Sequence, residues 1–381
     1  MRILIAPDKF KGSLDARSVA ENIAAGIRDV FPDAVIKTLP IADGGEGTAL
    51  AIHEAAAGEW ITCSSHDALG RMLQVRYSWL RERSTAVMEM SEAAGLWRIE
   101  PNERDLLRAH TYGVGEMIAD AIDRGAAEIV IGLGGSATND GGLGMARALG
   151  FRFMREDGRE IETPVDLQQL ARIHPPDAVH NLTALSRQDS APRTFTKVVA
   201  AVDVRNPLLG RRGATRTFGP QKGGTPEKIE LLEEALRRLA DVTKRDLGCD
   251  FRDQPGAGAA GGLGFGLMSF CGATVRPGFD VVAEFIGLRA AIEKADAVIT
   301  GEGRLDAQTL EGKGPAGVAR LARESGKPVF AVAGWASDAP EIRVLFDGVL
   351  SLVKPPVSPE EAMARAGELL QERARELARM M

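Results

Sequence analysis

Ile129-Val-Ile-Gly-Leu-Gly-Gly-Ser-Ala-Thr-Asn-Asp-Gly-Gly-Leu-Gly-Met-Ala-Arg-Ala-Leu149 runs from a β-branched segment through a glycine-rich turn into an apolar helical start. Glycine tolerates positive φ and admits close approach to the backbone, so such a turn can present N–H groups to an anion at a helix N-terminus. Ser136, Thr138, Asn139 and Asp140 add hydroxyl, amide and carboxylate groups to it. A strand-to-helix turn with an Asn/Asp cap is the plainer reading. It loses weight because the chain holds further segments of the same kind.

Outward from this stretch, the two ends of the chain share one texture. Ile3 to Ala6 reads as a strand, and the loop Asp8-Lys-Phe-Lys-Gly-Ser-Leu14 follows it. A helix over 16–31 has Val19, Ile23, Ile27 and Val30 on one face and Asp15 as N-cap. A second strand, 34–39, ends in Asp43-Gly-Gly-Glu-Gly-Thr48, where an alanine-rich helix starts. Strands at 297–300, 329–333 and 349–353 repeat the pattern near the C-terminus, and a closing helix covers 359–381. Strands alternating with helices, with polar loops at the strand ends, predict a parallel α/β sheet.

The middle differs. Runs at 60–63, 72–80 and 86–90 read as antiparallel hairpins. A helix over 102–123 leads into the opening turn; strands follow at 151–154 and 198–202, then a long helix over 229–247, while 167–187 shows no clean period. The expected fold is therefore two α/β domains. One is flavodoxin-like (a Rossmann-like parallel sheet) and discontinuous, 1–58 plus 285–381; the other, 59–284, is mixed α/β. A length of 381 residues agrees with two cores.

A net charge of −6 argues against a general nucleic-acid binder, and no apolar run is long enough for a membrane span. The N-terminus reaches acidic and turn residues too early for a signal peptide. Cys63, Cys249 and Cys271 are widely spaced, as expected for reduced thiols in a cytoplasmic protein. His53, His66, His110, His174 and His180 sit in no metal spacing. There is no P-loop and no nucleophile elbow. Gly256-Ala-Gly-Ala-Ala-Gly-Gly-Leu-Gly-Phe-Gly266 contains a literal GxGxxG but lacks the preceding strand that a dinucleotide site requires. Its small residues instead predict a closely packed helix N-terminus.

What recurs is a glycine loop carrying a carboxylate or a basic residue. Phosphoryl transfer uses that combination: N–H groups and Lys/Arg on the phosphates, one or two carboxylates for Mg²⁺, and a carboxylate beside the attacking hydroxyl. A phosphotransferase ranks first on these residues, ahead of a non-catalytic small-anion-binding protein.

Six segments in order strengthen the point: Ala6-Pro-Asp-Lys-Phe-Lys-Gly-Ser-Leu14, Ala42-Asp-Gly-Gly-Glu-Gly-Thr48, Gly134-Gly-Ser-Ala-Thr-Asn-Asp-Gly-Gly142, Phe218-Gly-Pro-Gln-Lys-Gly223, Gly256-Ala-Gly-Ala-Ala-Gly-Gly-Leu-Gly264 and Thr300-Gly-Glu-Gly-Arg-Leu-Asp306. Together they make the chain resemble, over nearly its whole length, the bacterial glycerate kinase family of the glycerate 2-kinase type. The resemblance implies ATP-dependent phosphorylation of D-glycerate to 2-phosphoglycerate in a cleft between two α/β domains; ATP and Mg²⁺ are the expected cofactors, and a monomer or a homodimer the expected state. Val202, Arg205, Ala307, Gly314 and Ala316 depart from the family pattern, and Arg205 adds charge on the expected substrate side. A kinase for another small hydroxy acid stays open as an alternative.

The roles that follow are expectations. Lys9 and Lys11 bind the glycerate carboxylate or the transferring phosphate, and Asp43 or Asp203 receives the proton of the attacking hydroxyl. Asp140, Glu302 and Asp306 hold Mg²⁺ or its waters. Gly44, Gly45, Gly134, Gly135, Ser136, Thr138, Asn139, Lys222, Gly258, Gly261 and Arg304 contact substrate or phosphates.

Overall fold

The computed structural model describes residues 1–176, 196–306, 309 and 314–381. Among them the strands are β1 (Arg2–Ile5), β2 (Val35–Thr38), β3 (Glu59–His66), β4 (Met72–Leu80), β5 (Thr85–Glu89), β6 (Glu128–Gly132) and β7 (Arg152–Met154). They continue with β8 (Arg172–His174), β9 (Lys197–Ala201), β10 (Thr274–Arg276), β11 (Ala297–Leu305), β12 (Val329–Ala336) and β13 (Gly348–Ser351). Residues 177–187 of the stretch without a clean period lie outside the described residues, and β8 occupies part of the rest. The chain divides into two compact units, Met1–Asp43 with Phe279–Met381, and Gly44–Gly278.

The first unit is built on a sheet of order β13-β12-β11-β1-β2 in which every neighbouring pair is parallel. Counted along this unit alone, the order is 2-1-3-4-5, that of the flavodoxin-like fold. Ile3 and Ile5 of β1 pair with Ala297 and Ile299 of β11 and are buried, because helices cover both faces of such a sheet. The helix Ala16–Val30 starts where the Asp15 carboxylate accepts the Ser18 N–H at 2.6 Å. Its buried face carries Val19, Ala20, Ile23, Ala24 and Ile27, packed against Leu370, Ala374 and Leu377 of the helix Ala366–Ala378. Gly26 marks the closest approach: a Cβ there would stand 2.3 Å from the Gln371 carbonyl oxygen. The expected closing helix is two helices, Pro359–Ala364 and Ala366–Ala378, with the break at Arg365 (φ −112°, ψ 23°). The first of them ends against the loop after β1, where the Ser13 hydroxyl donates to the Met363 carbonyl at 3.0 Å.

The second unit holds a mixed sheet of order β10-β9-β6-β5-β4-β3. β3, β4 and β5 form the expected antiparallel meander, while β5-β6, β6-β9 and β9-β10 are parallel. Ile129 and Ile131 of β6, Met88 of β5 and Phe265 and Phe270 of the helix Ala259–Cys271 lie in its core. The helix expected over 102–123 covers only Tyr112–Asp123. The backbone N–H and hydroxyl of Thr111 are both committed to the Asp140 carboxylate at 2.8 Å, which sets the chain direction just before Tyr112. The helix Thr48–Ala55, placed by the sequence reading with the N-terminal segment, packs on β4 and β5 of this unit. The Glu89 carboxylate at the end of β5 accepts the N–H groups of Gly47 and Ala49 at the start of that helix, at 3.0 and 2.9 Å.

Candidate active site

In the first unit β1 leads through the helix Ala16–Val30 to β2 on one side, whereas β11 leads through Gly314–Glu324 to β12 on the other. The strand order thus reverses between β1 and β11, and loops leaving the carboxyl ends of those strands diverge around a crevice. The strand ends are pinned: the Asp8 N–H donates to the Gly301 carbonyl at 2.8 Å and the Thr300 hydroxyl to the Ala6 carbonyl at 2.7 Å.

A cavity of about 800 Å³ opens at this carboxyl edge. Four carboxylates (Asp8, Asp43, Glu302 and Asp306) and three cations (Lys9, Lys11 and Arg304) line it. Burial pushes the Glu302 carboxyl up to about 7, against the opposing effect of the buried Thr309 hydroxyl, which donates to Glu302 Oε1 at 2.8 Å; Asp8, Asp306 and Asp43 push it further up. The Thr309 hydroxyl in turn accepts the Asp306 N–H at 3.1 Å. Arg304 pairs with Asp306 at 2.8 Å, and its guanidinium lies 5.0 Å from the centre of the Trp335 ring. A buried carboxyl with a raised pKa among like charges is a common feature of sites that move protons or bind cations.

In the second unit two glycine loops interlock. The Gly141 N–H donates to the Gly261 carbonyl at 3.0 Å, and a Cβ on Gly261 would stand 2.0 Å from the Thr138 carbonyl oxygen. A Cβ on Gly258 would stand 2.2 Å from the Pro207 carbonyl oxygen, and the Gly258 N–H donates to the Asn206 carbonyl at 2.9 Å. Gly44 and Gly45 run against Gly132 and Gly134, and the Gly135 carbonyl accepts the Leu96 N–H at 2.8 Å. Asn139 is buried and donates to the Thr215 hydroxyl at 3.0 Å. Asp203, two residues past β9, accepts the Gly278 N–H at 2.9 Å.

The comparisons with known proteins bear on the whole chain. The model of the glycerate kinase family matches residues 3–381. The chain belongs to the glycerate kinase family. A relative named glycerate kinase, from Bacillus subtilis strain 168, is 42% identical over 381 residues, 99% of this chain and 97% of its own. A relative named glycerate 2-kinase, from Escherichia coli K12, is 41% identical over 343 residues, 89% of this chain and 86% of its own. A crystal structure of a Salmonella typhimurium LT2 protein assigned as glycerate kinase 2 superposes with a TM-score of 0.85 at 42% identity, covering 100% of this chain and 98% of the other.

Of the residues singled out in the sequence, this member of the glycerate kinase family brings Lys9, Lys11, Asp43, Glu302, Arg304 and Asp306 around one cavity. The others belong to the second unit, and two of them are placed differently from the expectation. Lys222, expected to hold an anion, is only 2% exposed, and its ammonium donates to Ser136 Oγ and the Thr138 carbonyl, both at 2.7 Å. Burial pulls its pKa down to about 7, partly countered by Asp140. Asp140, expected at a metal, is fully buried and accepts from Thr111 N and Oγ1, Gly142 N and Gly144 N. It thereby ties the start of the helix Leu143–Ala148 to Thr111. Asp8, Glu89, Thr309 and Trp335 were given no role from the sequence. Asp8 sits inside a motif whose lysines carry the clearer signal; Thr309 bonds Glu302 and Asp306 of its own segment, contacts a hydroxyl alone does not announce, and Trp335 meets Arg304 only across two neighbouring strands.

Proposed function

We propose that the chain is a glycerate 2-kinase that transfers the terminal phosphoryl group of ATP to the 2-hydroxyl of D-glycerate, giving 2-phosphoglycerate and ADP. Family membership supports glycerate as acceptor and ATP as donor, and the name of the Escherichia coli relative supports the 2-position. The observation that carries the reading is the grouping of four carboxylates with two lysines and an arginine at the switch point of a parallel sheet. The hydroxyl oxygen bonds to the terminal phosphorus as the bond to the bridging oxygen breaks, so charge spreads over phosphoryl oxygens and the protein has chiefly to neutralise and orient it.

Lys9, Lys11 and Arg304 supply positive charge for the phosphates and the glycerate carboxylate. Asp43 receives the hydroxyl proton. Hard oxygen donors suit Mg²⁺, which needs only one or two protein carboxylates when phosphates complete its shell. Glu302 and Asp306 fit that part; among the described residues no group of three or more His, Cys, Asp or Glu side chains forms a complete metal cage. Bound Mg²⁺ neutralises charge on the phosphates. The glycines at 134–135, 258 and 261 serve loop packing in this account, and Lys222 and Asp140 support those loops.

The test is ADP release from MgATP with D-glycerate, with L-glycerate as control. Release with the D isomer is expected. No release with either isomer would refute the assignment.

A further inference from the structure

We infer that the cavity of the first unit seats the nucleotide, with the base over the carboxyl ends of β12 and β13 and the phosphates over those of β11 and β1. The identity of the ligand rests on the kinase reading above; its placement rests on the lining of the cavity. The sheet order β13-β12-β11-β1-β2 lays out that lining in space. Past the end of β13 come Leu352 and Val353, and Trp335 stands near the end of β12; Met363, on the helix Pro359–Ala364, lies beside Gly12 of the loop after β1. Glu302 and Arg304 lie in the last residues of β11 and Asp306 just past it, while Asp8, Lys9 and Lys11 follow β1. The β12–β13 end of the cavity, with Leu352, Val353 and Trp335, is apolar and the β11–β1 end carries the charges, the polarity of a purine nucleoside triphosphate.

Size agrees. A three-carbon acid would leave most of about 800 Å³ empty, whereas the volume falls in the range of sites for larger ligands. Three strand steps separate β13 from β1, about 14 Å at ordinary strand spacing, which is the reach of an extended nucleoside triphosphate. Trp335 is 39% exposed. A flat ring with a guanidinium against it is a stacking surface for an aromatic base, and the same Arg304 lies between that ring and the acidic end.

The experiment is ADP binding to the full chain without glycerate, measured by titration calorimetry, in wild type, Trp335→Ala and Met363→Glu. The latter changes an exposed side chain, so it keeps the test usable if Trp335→Ala does not fold. Each variant is also assayed for the KM values of ATP and D-glycerate. A rise of tenfold or more in the ADP dissociation constant and in KM for ATP, with KM for D-glycerate unmoved, supports the seat. ADP bound as in wild type by a folded variant overturns it, as does a raised KM for D-glycerate alone. ADP binding that depends on these residues in a protein that fails to phosphorylate glycerate supports the seat and refutes the acceptor assignment instead.

Discussion

The α-carbon of Gly261 faces the carbonyl of Thr138 so closely that an added Cβ would stand 2.0 Å from the oxygen, and the residue has a φ of +66°. Both conditions exclude a side chain. Gly261→Ala is expected to cost on the order of 3 kcal/mol or more, from overpacking and backbone strain together. Urea unfolding should show it as a lower midpoint at unchanged slope. A wild-type midpoint would mean that the two loops separate at little cost.

Much of the fold was readable because its signals are local. Asp15 precedes an apolar stripe at Val19, Ile23 and Ile27, and the cap and buried face follow from that spacing. Glycine loops were located correctly, but their purpose was not legible. Glycine density means close approach, and sequence does not say whether the approaching atoms belong to a ligand or to another loop; at Gly258 and Gly261 they belong to Pro207 and Thr138. The same limit applies to Lys222, whose burial depends on the loop from Ser136 to Thr138, far away in the chain. The helix over 102–123 was overextended because the partner that fixes Thr111 is Asp140.

Asp140 separates a structural role from a metal role. Its carboxylate accepts four N–H or O–H donors, and Asp140→Asn would turn an amide NH₂ toward at least one of them. A loss of on the order of 2–4 kcal/mol in stability is expected, in chelator and in Mg²⁺ alike. Unchanged stability with a raised Mg²⁺ requirement would restore the metal reading.

Lys222 offers a paired comparison. Lys222→Ala removes two hydrogen bonds and leaves a cavity, for an expected loss of about 3 kcal/mol. Lys222→Met keeps most of the volume and removes the buried ammonium, so it should unfold at a clearly higher denaturant concentration than the alanine variant. Equal midpoints for the two would show that filling the space contributes nothing.

Glu302 predicts a pH dependence. Its carboxyl is raised from 4.5 to about 7 in the fold, so between those values the folded chain holds a proton that the unfolded chain has released. Stability from this group is full below about 4.5 and is lost as pH rises to about 7, on the order of 2–3 kcal/mol. Glu302→Gln should flatten that part of the stability profile in metal-free buffer. An unaltered slope between pH 4.5 and 7 in the variant would assign the dependence elsewhere.

The most direct measurement of the central claim couples the reaction of MgATP and D-glycerate to enolase with no mutase present. Enolase accepts 2-phosphoglycerate, so the account predicts immediate phosphoenolpyruvate formation, and none with L-glycerate. ADP released from D-glycerate without an enolase signal would contradict transfer to the 2-hydroxyl.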